Sequence, residues 1–472
     1  MIGFLRVWAA ILCICAVLVL AGCEEPPVDT TVTVPTTAAP TEPPLSPREK
    51  YNIALGNLEQ APNWILDYTL EEQRSVGTDT YTKKVVGKAS FSKLYQKDMV
   101  AVIEEQLTYG SYTSDYTEVY CESMAFSKIK ESYFKSEMEP EAFVQRQIPA
   151  ALINSALYQT IGETAGENST VISFDGATAV ESWVGNTKEK IISASGSAIL
   201  DSSGALKETT CQITYSVGAV QCTVSAVVHI TTPPSLDLSG THQEHITGST
   251  RIKDLDVPKM LLQMVGDVYA AGKMKCDAVE SIYSEAIPLA YSQNSLINLT
   301  GYDDELTARA EYKIQLSDYR GNVSTSTQVD SFENGVFLSA VNGGSPQKNS
   351  TVTPQQMRSY CEDAILSALV APKYLKDAYL EVNEDNYRIE IEGNYDFVMD
   401  MMTNISQFLQ VDLDAKATDK KTVSAGGYLV IDSETGLPTA MGLHMERQHT
   451  IDTVTYRLTY RLDQTMKLSE YE

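Results

Sequence analysis

The residue of this chain with the clearest chemistry is Cys23, which follows Leu20, Ala21 and Gly22 at the end of an apolar run. A thiol at this position can be joined to a diacylglyceryl group, and the small residues before it let the segment bind a peptidase in an extended form. Cleavage before Cys23 would make this residue the acylated N-terminus of the mature chain. The sequence therefore predicts lipid attachment at Cys23.

Residues 1–23 resemble the signal peptides of bacterial lipoproteins. The resemblance implies a signal peptide at residues 1–22, lipidation at Cys23, and an extracytoplasmic location in which the protein is lipid-anchored to the bacterial cell membrane. An ordinary secretory signal and a transmembrane anchor are the alternatives. The apolar run is shorter than the roughly 20 residues that a membrane-spanning helix needs, so we disfavour the anchor.

Beyond the leader and Cys23 there are five cysteines, namely Cys121, Cys211, Cys222, Cys276 and Cys361. Cys211 and Cys222 flank a predicted hairpin turn at residues 215–218. They either form a disulfide across two strands or remain two buried thiols. Cys361 falls on the apolar face of a predicted helix, which is typical of a small core residue rather than of a reactive thiol.

Histidines and nucleophile motifs give no catalytic or metal site. His242 and His245 lie in a predicted linker and lack the spacing that places two imidazoles on one helical turn. His444 and His449 are five residues apart in a strand region, which puts them on opposite faces of one strand. Nucleophile elbows, phosphate loops and paired-cysteine motifs are absent. We therefore expect no enzyme, no cofactor and no metal, with an unrecognised active site as the alternative.

Charge is strongly acidic throughout the chain. Without the leader it carries 35 Lys and Arg against 62 Asp and Glu, a formal charge of −27. Such a balance repels phosphate backbones, because their neutralisation requires clustered cations. We expect no nucleic-acid partner, and we interpret the acidity as a source of solubility outside the cell.

The N-terminal part of the mature chain is a predicted tether. Residues 23–45 are rich in Thr and Pro and cannot bury a core, so they favour extended, disordered chain. Order should begin at Ser46, where a Pro at the first helical position and Glu49 three residues after the cap predict a helix with a capping box.

An internal repeat is the strongest signal in the rest of the sequence. Residues 187–206 and 418–437 align without a gap, and 8 of 20 positions are identical, where chance gives roughly one or two. The identical pairs are Thr187/Thr418, Lys190/Lys421, Ser193/Ser424, Ala194/Ala425, Gly196/Gly427, Asp201/Asp432, Ser202/Ser433 and Leu206/Leu437. The Asp-rich ends of both segments predict hairpin turns rather than calcium loops.

Upstream of each repeated segment the pattern predicts a capped helix, at residues 136–158 and 353–369. The predicted capping-box pairs are Ser136 with Glu139 and Thr353 with Gln356. Together with the flanking strand-like stretches, this predicts a duplicated domain of about two hundred residues.

The boundary between the two copies is predicted at residues 232–249, where apolar alternation stops and Pro233 and Pro234 interrupt the chain. This gives one domain at residues 46–231 and a second at residues 250–468. The second should open with a helix near residues 258–271 that Gly272 ends in the left-handed conformation.

Strand patterns dominate both copies. Apolar and polar residues alternate along residues 454–462, which is typical of a half-buried antiparallel strand. We predict an α+β fold of two tandem curved antiparallel sheets, each with an N-terminal helix and a helical insertion. With its lipidation signal, tether and opening helix, this element order resembles the lipoprotein-carrier superfamily.

That resemblance implies two half-barrels in tandem, each with an apolar cavity lined by generic side chains, so it transfers no ligand-binding residue. Two functions remain open. The protein either binds a lipid or another apolar ligand in its concave sheets, or it is a non-catalytic structural or interaction module of the cell envelope. The membrane, through the lipidated N-terminus, is the partner common to both.

Overall fold

The structure is a computed structural model that describes residues 44–468, without residues 77–78, 111, 130, 148–154, 156–157, 178–188, 219, 239, 241–247, 286–289, 302–304, 318–319, 367–370, 384 and 410. The predicted signal peptide, Cys23 and nearly all of the predicted tether lie outside these residues. In the part of the chain that is described, no helix has the length and apolarity to cross a membrane.

Sheet 1 is formed by the first half of the chain and has 12 strands in the order β12-β6-β5-β4-β3-β2-β1-β11-β10-β9-β8-β7. Its strands are β1 (Asn63–Val76), β2 (Asp79–Ser92), β3 (Val100–Tyr109), β4 (Tyr112–Cys121), β5 (Met124–Ile129), β6 (Ser132–Glu137), β7 (Tyr158–Ala165), β8 (Ser169–Ala177), β9 (Glu189–Asp201), β10 (Leu206–Val217), β11 (Val220–Thr231) and β12 (Thr250–Arg251). Neighbouring strands are antiparallel, except that β12 runs parallel to β6.

Sheet 2 has 11 strands in the order β18-β17-β16-β15-β14-β13-β23-β22-β21-β20-β19. They are β13 (Lys273–Ser284), β14 (Ala290–Thr300), β15 (Thr307–Ser317), β16 (Val323–Glu333), β17 (Val336–Val341), β18 (Gln347–Asn349), β19 (Leu375–Val382), β20 (Asn386–Gly393), β21 (Asp419–Asp432), β22 (Pro438–Ile451) and β23 (Val454–Leu468). The predicted α+β fold with two antiparallel sheets is confirmed, and both sheets are open rather than closed barrels.

The strand order of sheet 2 repeats that of β1–β11 in sheet 1. The irregularities repeat as well, because the ladder between β9 and β10 skips Ile192 and the ladder between β21 and β22 skips Val423. These two bulge residues occupy the same column of the aligned segments. The two segments differ in length only at the following turn, by one residue. There the Asp201 amide donates to Ala205 O, four residues ahead, and the Asp432 amide donates to Leu437 O, five residues ahead.

Helices cover one face of each sheet. They are α1 (Pro47–Glu59), α2 (Pro140–Gln147), α3 (Asp256–Ala270), α4 (Pro354–Ile365), α5 (Tyr395–Leu409) and α6 (Leu413–Lys416), with a 3₁₀ turn at Pro372–Tyr374. We call the face of each sheet that carries the helices its inner face, and the opposite face its outer face.

Two of the three predicted capping boxes form. Ser46 with Glu49 caps α1, and Thr353 with Gln356 caps α4. The predicted Ser136 box is wrong, because Ser136 belongs to β6 and pairs with β5. Helix α3 begins two residues earlier than predicted, and Ala271, rather than a left-handed Gly272, ends it in an extended conformation.

A short segment, residues 250–254, joins an edge of sheet 1 to an edge of sheet 2. β12 pairs with β6, and the Ile252 amide donates to Lys135 O at 3.0 Å. Two residues later the Asp254 amide donates to Ala378 O in β19 at 3.3 Å. The segment therefore contacts both sheets. The domain boundaries at residues 231 and 250 stay a prediction.

Candidate functional site

Helix α3 opens the second half of the chain, but it packs on the inner face of sheet 1, against β3, β4 and β5, as well as on β19. Most of the helix is apolar and buried. Its polar exceptions, Asp256, Lys259, Gln263 and Asp267, are three, four and four residues apart, which places them on one side of the helix. We call these four residues the α3 stripe.

The first contact of the α3 stripe is a buried ion triad. Arg146 of α2 donates from Nη2 to Glu118 Oε1 and from Nε to Asp256 Oδ1, each at 2.5 Å. Glu118 is 1% exposed and also accepts from the Tyr116 hydroxyl and the Gln147 amide. Burial raises the pKa of Glu118 despite the Arg146 charge. The carboxylate therefore depends on Arg146 to stay ionised.

The second contact joins Lys259 of the stripe to Glu105 of β3. The Lys259 ammonium forms an ion pair with the Glu105 carboxylate and lies 4.7 Å from the centre of the Tyr116 ring. The Tyr68 hydroxyl donates to the same carboxylate at 2.8 Å. Burial opposes ionisation of Glu105, but the charge and hydrogen bond of Lys259 outweigh it, so the pKa of Glu105 is lowered.

The third contact is a group of four charges, Glu72 and Arg74 of β1, Lys83 of β2 and Asp267 of α3, which we call the Arg74 cluster. Arg74 Nε donates to Glu72 Oε1 at 2.7 Å, while its Nη1 donates to Thr435 O in the turn between β21 and β22. The guanidinium of the first half thus reaches into a turn of the second half.

A small cavity of about 20 Å³ lies inside the Arg74 cluster, closed by Gln263, Tyr109 and Leu437 among others. This volume has room for one water molecule. Within the described residues the buried Tyr109 hydroxyl has no hydrogen-bond partner, which suits such a water. The cavity is too small for an organic substrate, so its charges can orient the surrounding elements but cannot act on a ligand there.

The pKa values of the Arg74 cluster reflect its burial. Burial raises the pKa of Asp267 to about 6, although Arg74 and Lys83 oppose the shift. Burial lowers the pKa of Lys83 to about 8. Burial also opposes ionisation of Glu72, but the Arg74 charge outweighs it and lowers the pKa of Glu72 well below its usual value.

Two open grooves lie on the outer faces, and the groove of sheet 1 is lined in part by Tyr68, Glu105 and Tyr116 of the buried network. The groove of sheet 1 has a volume of about 550 Å³ and crosses β1–β4 and β11, and that of sheet 2 has about 730 Å³ and crosses β13–β16 and β21–β23. They occupy the same place in both sheets, because Tyr68 and Ala278, which lie at their centres, hold equivalent positions in the strand pairing.

Both grooves combine apolar floors with carboxylates. Val86 and Val227 in the groove of sheet 1 are 47% and 38% exposed, and Val279 in that of sheet 2 is 52% exposed. The groove carboxylates are Asp67, Glu104, Glu105 and Asp115 in sheet 1 and Asp277, Glu311 and Asp463 in sheet 2, while Lys88 and Lys313 add one ammonium group to each groove. Each groove can therefore contact a partner that carries apolar and basic groups.

Of the two alternatives for Cys211 and Cys222, the structure contains the two buried thiols. They lie on neighbouring strands, but Cys211 is opposite Ala226 and Cys222 is opposite Tyr215, since the hairpin turn begins at Gly218 rather than at Tyr215. Burial raises the pKa of Cys211 to about 12, so this thiol stays protonated at neutral pH.

The other residues singled out from the sequence are dispersed. Cys361 is fully buried, and His242 and His245 lie outside the described residues. His444 is exposed on the outer face, whereas His449 is buried on the inner face, 2.6 Å from Asp414. Among the described residues, no group of three or more His, Cys, Asp and Glu side chains is arranged to hold a metal ion.

The sequence interpretation missed the Arg74 cluster and the α3 stripe. The cluster joins two strands of sheet 1 to a helix and a turn that come much later in the chain, so no spacing indicates it. The stripe did have a signal, namely charged residues at helical spacing in an otherwise apolar helix.

Comparisons with known proteins leave the family open. No protein-family model and no curated protein matches the chain. Among solved structures, LprF from Mycobacterium bovis is 9% identical, with 45% of this chain and 92% of that chain covered and a TM-score of 0.24. The MucA/MucB complex of Pseudomonas aeruginosa is 6% identical (89% and 99% covered, TM-score 0.19), and a DUF1329 family protein from Desulfovibrio piger is 12% identical (42% and 96% covered, TM-score 0.16). At these values the likenesses carry no conclusion about fold or function.

Proposed function

We propose that this protein is a lipid-anchored, non-catalytic interaction module of the bacterial cell envelope that binds a protein partner through the outer faces of its two sheets. The observation that carries the proposal is the pair of grooves at equivalent positions of the duplicated sheets. Attachment through Cys23 and the tether at residues 23–45 would hold both grooves outside the membrane.

Packing of the inner faces supports this proposal over the binding of an apolar ligand inside two half-barrels. A single apolar cluster runs from α1 and sheet 1 through α3 into sheet 2. Large side chains on the inner face of sheet 1, such as Trp64, Phe91 and Phe174, are at most 2% exposed. Over the described residues, the side chains that a lipid would contact are already packed against helices and against each other.

The partner that fits the grooves is an extended polypeptide segment that carries apolar and basic side chains on one face. Residues i and i+2 of an extended segment point to the same side, so apolar and basic residues two positions apart can contact the valines and the carboxylates of one groove together. The formal charge of −27 of the chain without its leader favours a basic partner by long-range attraction.

Site-specific photocrosslinking in the native host tests this function. A photoreactive amino acid is placed at Val86 or Val279 in the grooves and, as a control, at Val454, which is equally exposed on a hairpin of sheet 2. We expect a discrete polypeptide adduct from both groove positions and none from Val454, and Glu104→Lys or Glu311→Lys should weaken it. Equal crosslinking at all three positions would contradict the proposal, because the grooves would then not be the binding surface. A stoichiometric lipid in a solvent extract of the purified protein would also contradict it and would favour a lipid carrier.

A further inference from the structure

Two equivalent turns of the repeat have different surroundings. In sheet 1 the turn from β9 to β10 is exposed at residues 202–204, and a Cβ atom added to Gly204 would meet nothing within 4 Å. In sheet 2 the turn from β21 to β22 is packed, and a Cβ atom added to Gly436 would lie 2.6 Å from Arg74 Nη1. Only the second copy of the turn is used as a contact.

The packed turn, residues 432–437, meets sheet 1 at three points. Thr435 O accepts from Arg74, Leu437 closes the cavity of the Arg74 cluster, and the Glu434 carboxylate lies where a side chain on Gly218 would be. Gly436 is left-handed, at φ +68°. Glycine therefore suits this position for two reasons: it adopts the left-handed backbone conformation without strain, and it leaves room for the guanidinium of Arg74.

The chemistry of this contact favours orientation over stability. Desolvation of buried charges opposes their mutual attraction, so replacing a buried ionic group with apolar residues is often neutral or stabilising. A guanidinium bound to a carboxylate on one side and to a carbonyl on the other nevertheless has few alternative arrangements. An apolar contact of equal area tolerates sliding, whereas this one does not.

We propose that Arg74 and the 432–437 turn form a lock that fixes the orientation of sheet 2 relative to sheet 1. With the lock closed, the guanidinium sits over Gly436 and α3 keeps its stripe against Glu105 and Glu118. With the lock open, the turn leaves Arg74, and the two sheets rotate about the 250–254 segment, where backbone hydrogen bonds still join their edges. The lock is independent of what the outer grooves bind.

Distance measurements by electron paramagnetic resonance test the lock in the full chain. Genetically encoded nitroxide labels at Ile53 of α1 and Val323 of β16, both exposed, report the distance between the halves without touching the buried cysteines. We expect one narrow distance in the unaltered protein. Gly436→Ala should broaden or shift it, because the new methyl group displaces Arg74, whereas Gly204→Ala introduces the same left-handed strain without a contact and should not.

A second pair of variants separates the lock from a general loss of buried ion pairs. Arg74→Met removes the guanidinium at the junction, and Arg447→Met removes a more deeply buried one whose contacts, to Asp414 and Thr422, stay within the second half. Only Arg74→Met should broaden the distance. Circular dichroism confirms folding, and Gly436→Ala decides the question if Arg74→Met does not fold. A narrow, unshifted distance in Gly436→Ala would overturn the proposal.

Discussion

Helices α1 and α3 each precede the central strand of their own half, and both bury apolar side chains on the inner face of sheet 1, but only α3 also meets nearly fully buried carboxylates of that sheet. Helix α1 packs on β7, β9 and β10 through apolar side chains, among which Tyr51, Ala54 and Leu58 are at most 4% exposed. Helix α3 packs on β3, β4 and β5 with its charged stripe facing Glu105 and Glu118.

The difference shows how a duplicated fold can assign separate tasks to equivalent elements. The free energy of apolar burial is roughly proportional to the buried area and is non-directional, so it stabilises α1 without fixing the helix in one exact position. Buried charges stabilise little, but they lose much when a partner is displaced. We therefore expect the α1 contact to set the stability of the first half and the α3 contact to set the relative orientation of the halves.

The largest expected effect breaks the α1 side of the comparison. Phe174 contacts Tyr51 of α1 edge-to-face, with ring centres 5.0 Å apart, and also contacts Tyr158. Phe174→Ala leaves a cavity under α1 and should lower the free energy of unfolding by about 3–5 kcal/mol. Urea titration measures the loss, and the exposed control Val86→Ala should change it by less than about 0.5 kcal/mol. Equal losses in both would show that α1 is not held by its apolar face.

Arg146 tests the α3 side, where the effect should depend on which partners remain. Arg146→Met leaves the Glu118 and Asp256 carboxylates buried without their cation and should cost about 3 kcal/mol. Adding Glu118→Gln and Asp256→Asn to Arg146→Met should recover most of that stability, because no unpaired charge remains. If the triple variant is as unstable as the single one, the triad stabilises the fold by itself and the contrast with α1 fails.

Local signals were readable from the sequence because they depend on residues a few positions apart. The capping boxes at Ser46 and Thr353 need only a partner three residues further along the chain. The repeat is detected by aligning residues 187–206 with 418–437, position by position. Ser136 failed although it has the same pattern, since pairing of β6 with β5 satisfies its backbone first. For Cys211 and Cys222 the sequence left a disulfide and two buried thiols open, because the position of one hairpin turn decides whether the two residues face each other.

Nonlocal contacts were not readable, and the second copy of the repeat shows why. Asp201 and Asp432 each hold their turn with a carboxylate that accepts two backbone hydrogen bonds. The donors lie two and four residues after Asp201 and two and three residues after Asp432. Nothing in either turn states that only the second one meets Arg74. The sequence specifies both turns equally, and only the tertiary contacts with Arg74 and Gly218 distinguish the second one.

Protonation of Asp267 tests the junction with a smaller effect. Its folded pKa of about 6 lies above the usual 3.8, so between about pH 4 and 6 the folded state retains a proton that the unfolded state has lost. The stabilising contribution of the protonated form is therefore complete near pH 4 and is lost as the pH rises through 6. At pH 7 the ionised Asp267 costs stability, although Arg74 and Lys83 reduce that cost.

Asp267→Asn should accordingly match the unaltered protein near pH 4 and exceed its free energy of unfolding at pH 7 by up to about 3 kcal/mol, because the folded pKa of about 6 lies roughly two pH units above 3.8 and each pH unit corresponds to about 1.4 kcal/mol. Urea titrations of both proteins across this range measure the difference, in which groups common to both cancel. Parallel profiles would show that Asp267 titrates normally and that the cavity of the Arg74 cluster is more hydrated than its volume indicates.

The smallest expected effect concerns how the two helices begin. Ser46 caps α1 with its own side chain, and Ser46→Ala should cost about 1 kcal/mol, confined to the first turn of α1. Helix α3 has no side-chain bond from its N-cap Leu255; instead, Asp254 Oδ1 accepts from the Asp256 amide at 3.0 Å, and the Asp254 amide bonds to β19 of sheet 2. Asp254→Ala removes the side-chain bond but keeps the backbone amide. Because the freed 254–256 backbone should hold Ala378 O less firmly, we expect faster amide exchange both at the start of α3 and in β19, while Ser46→Ala should leave sheet 2 unchanged. If the faster exchange in Asp254→Ala is confined to α3, both helices begin locally and the orientation of the sheets depends on the lock alone.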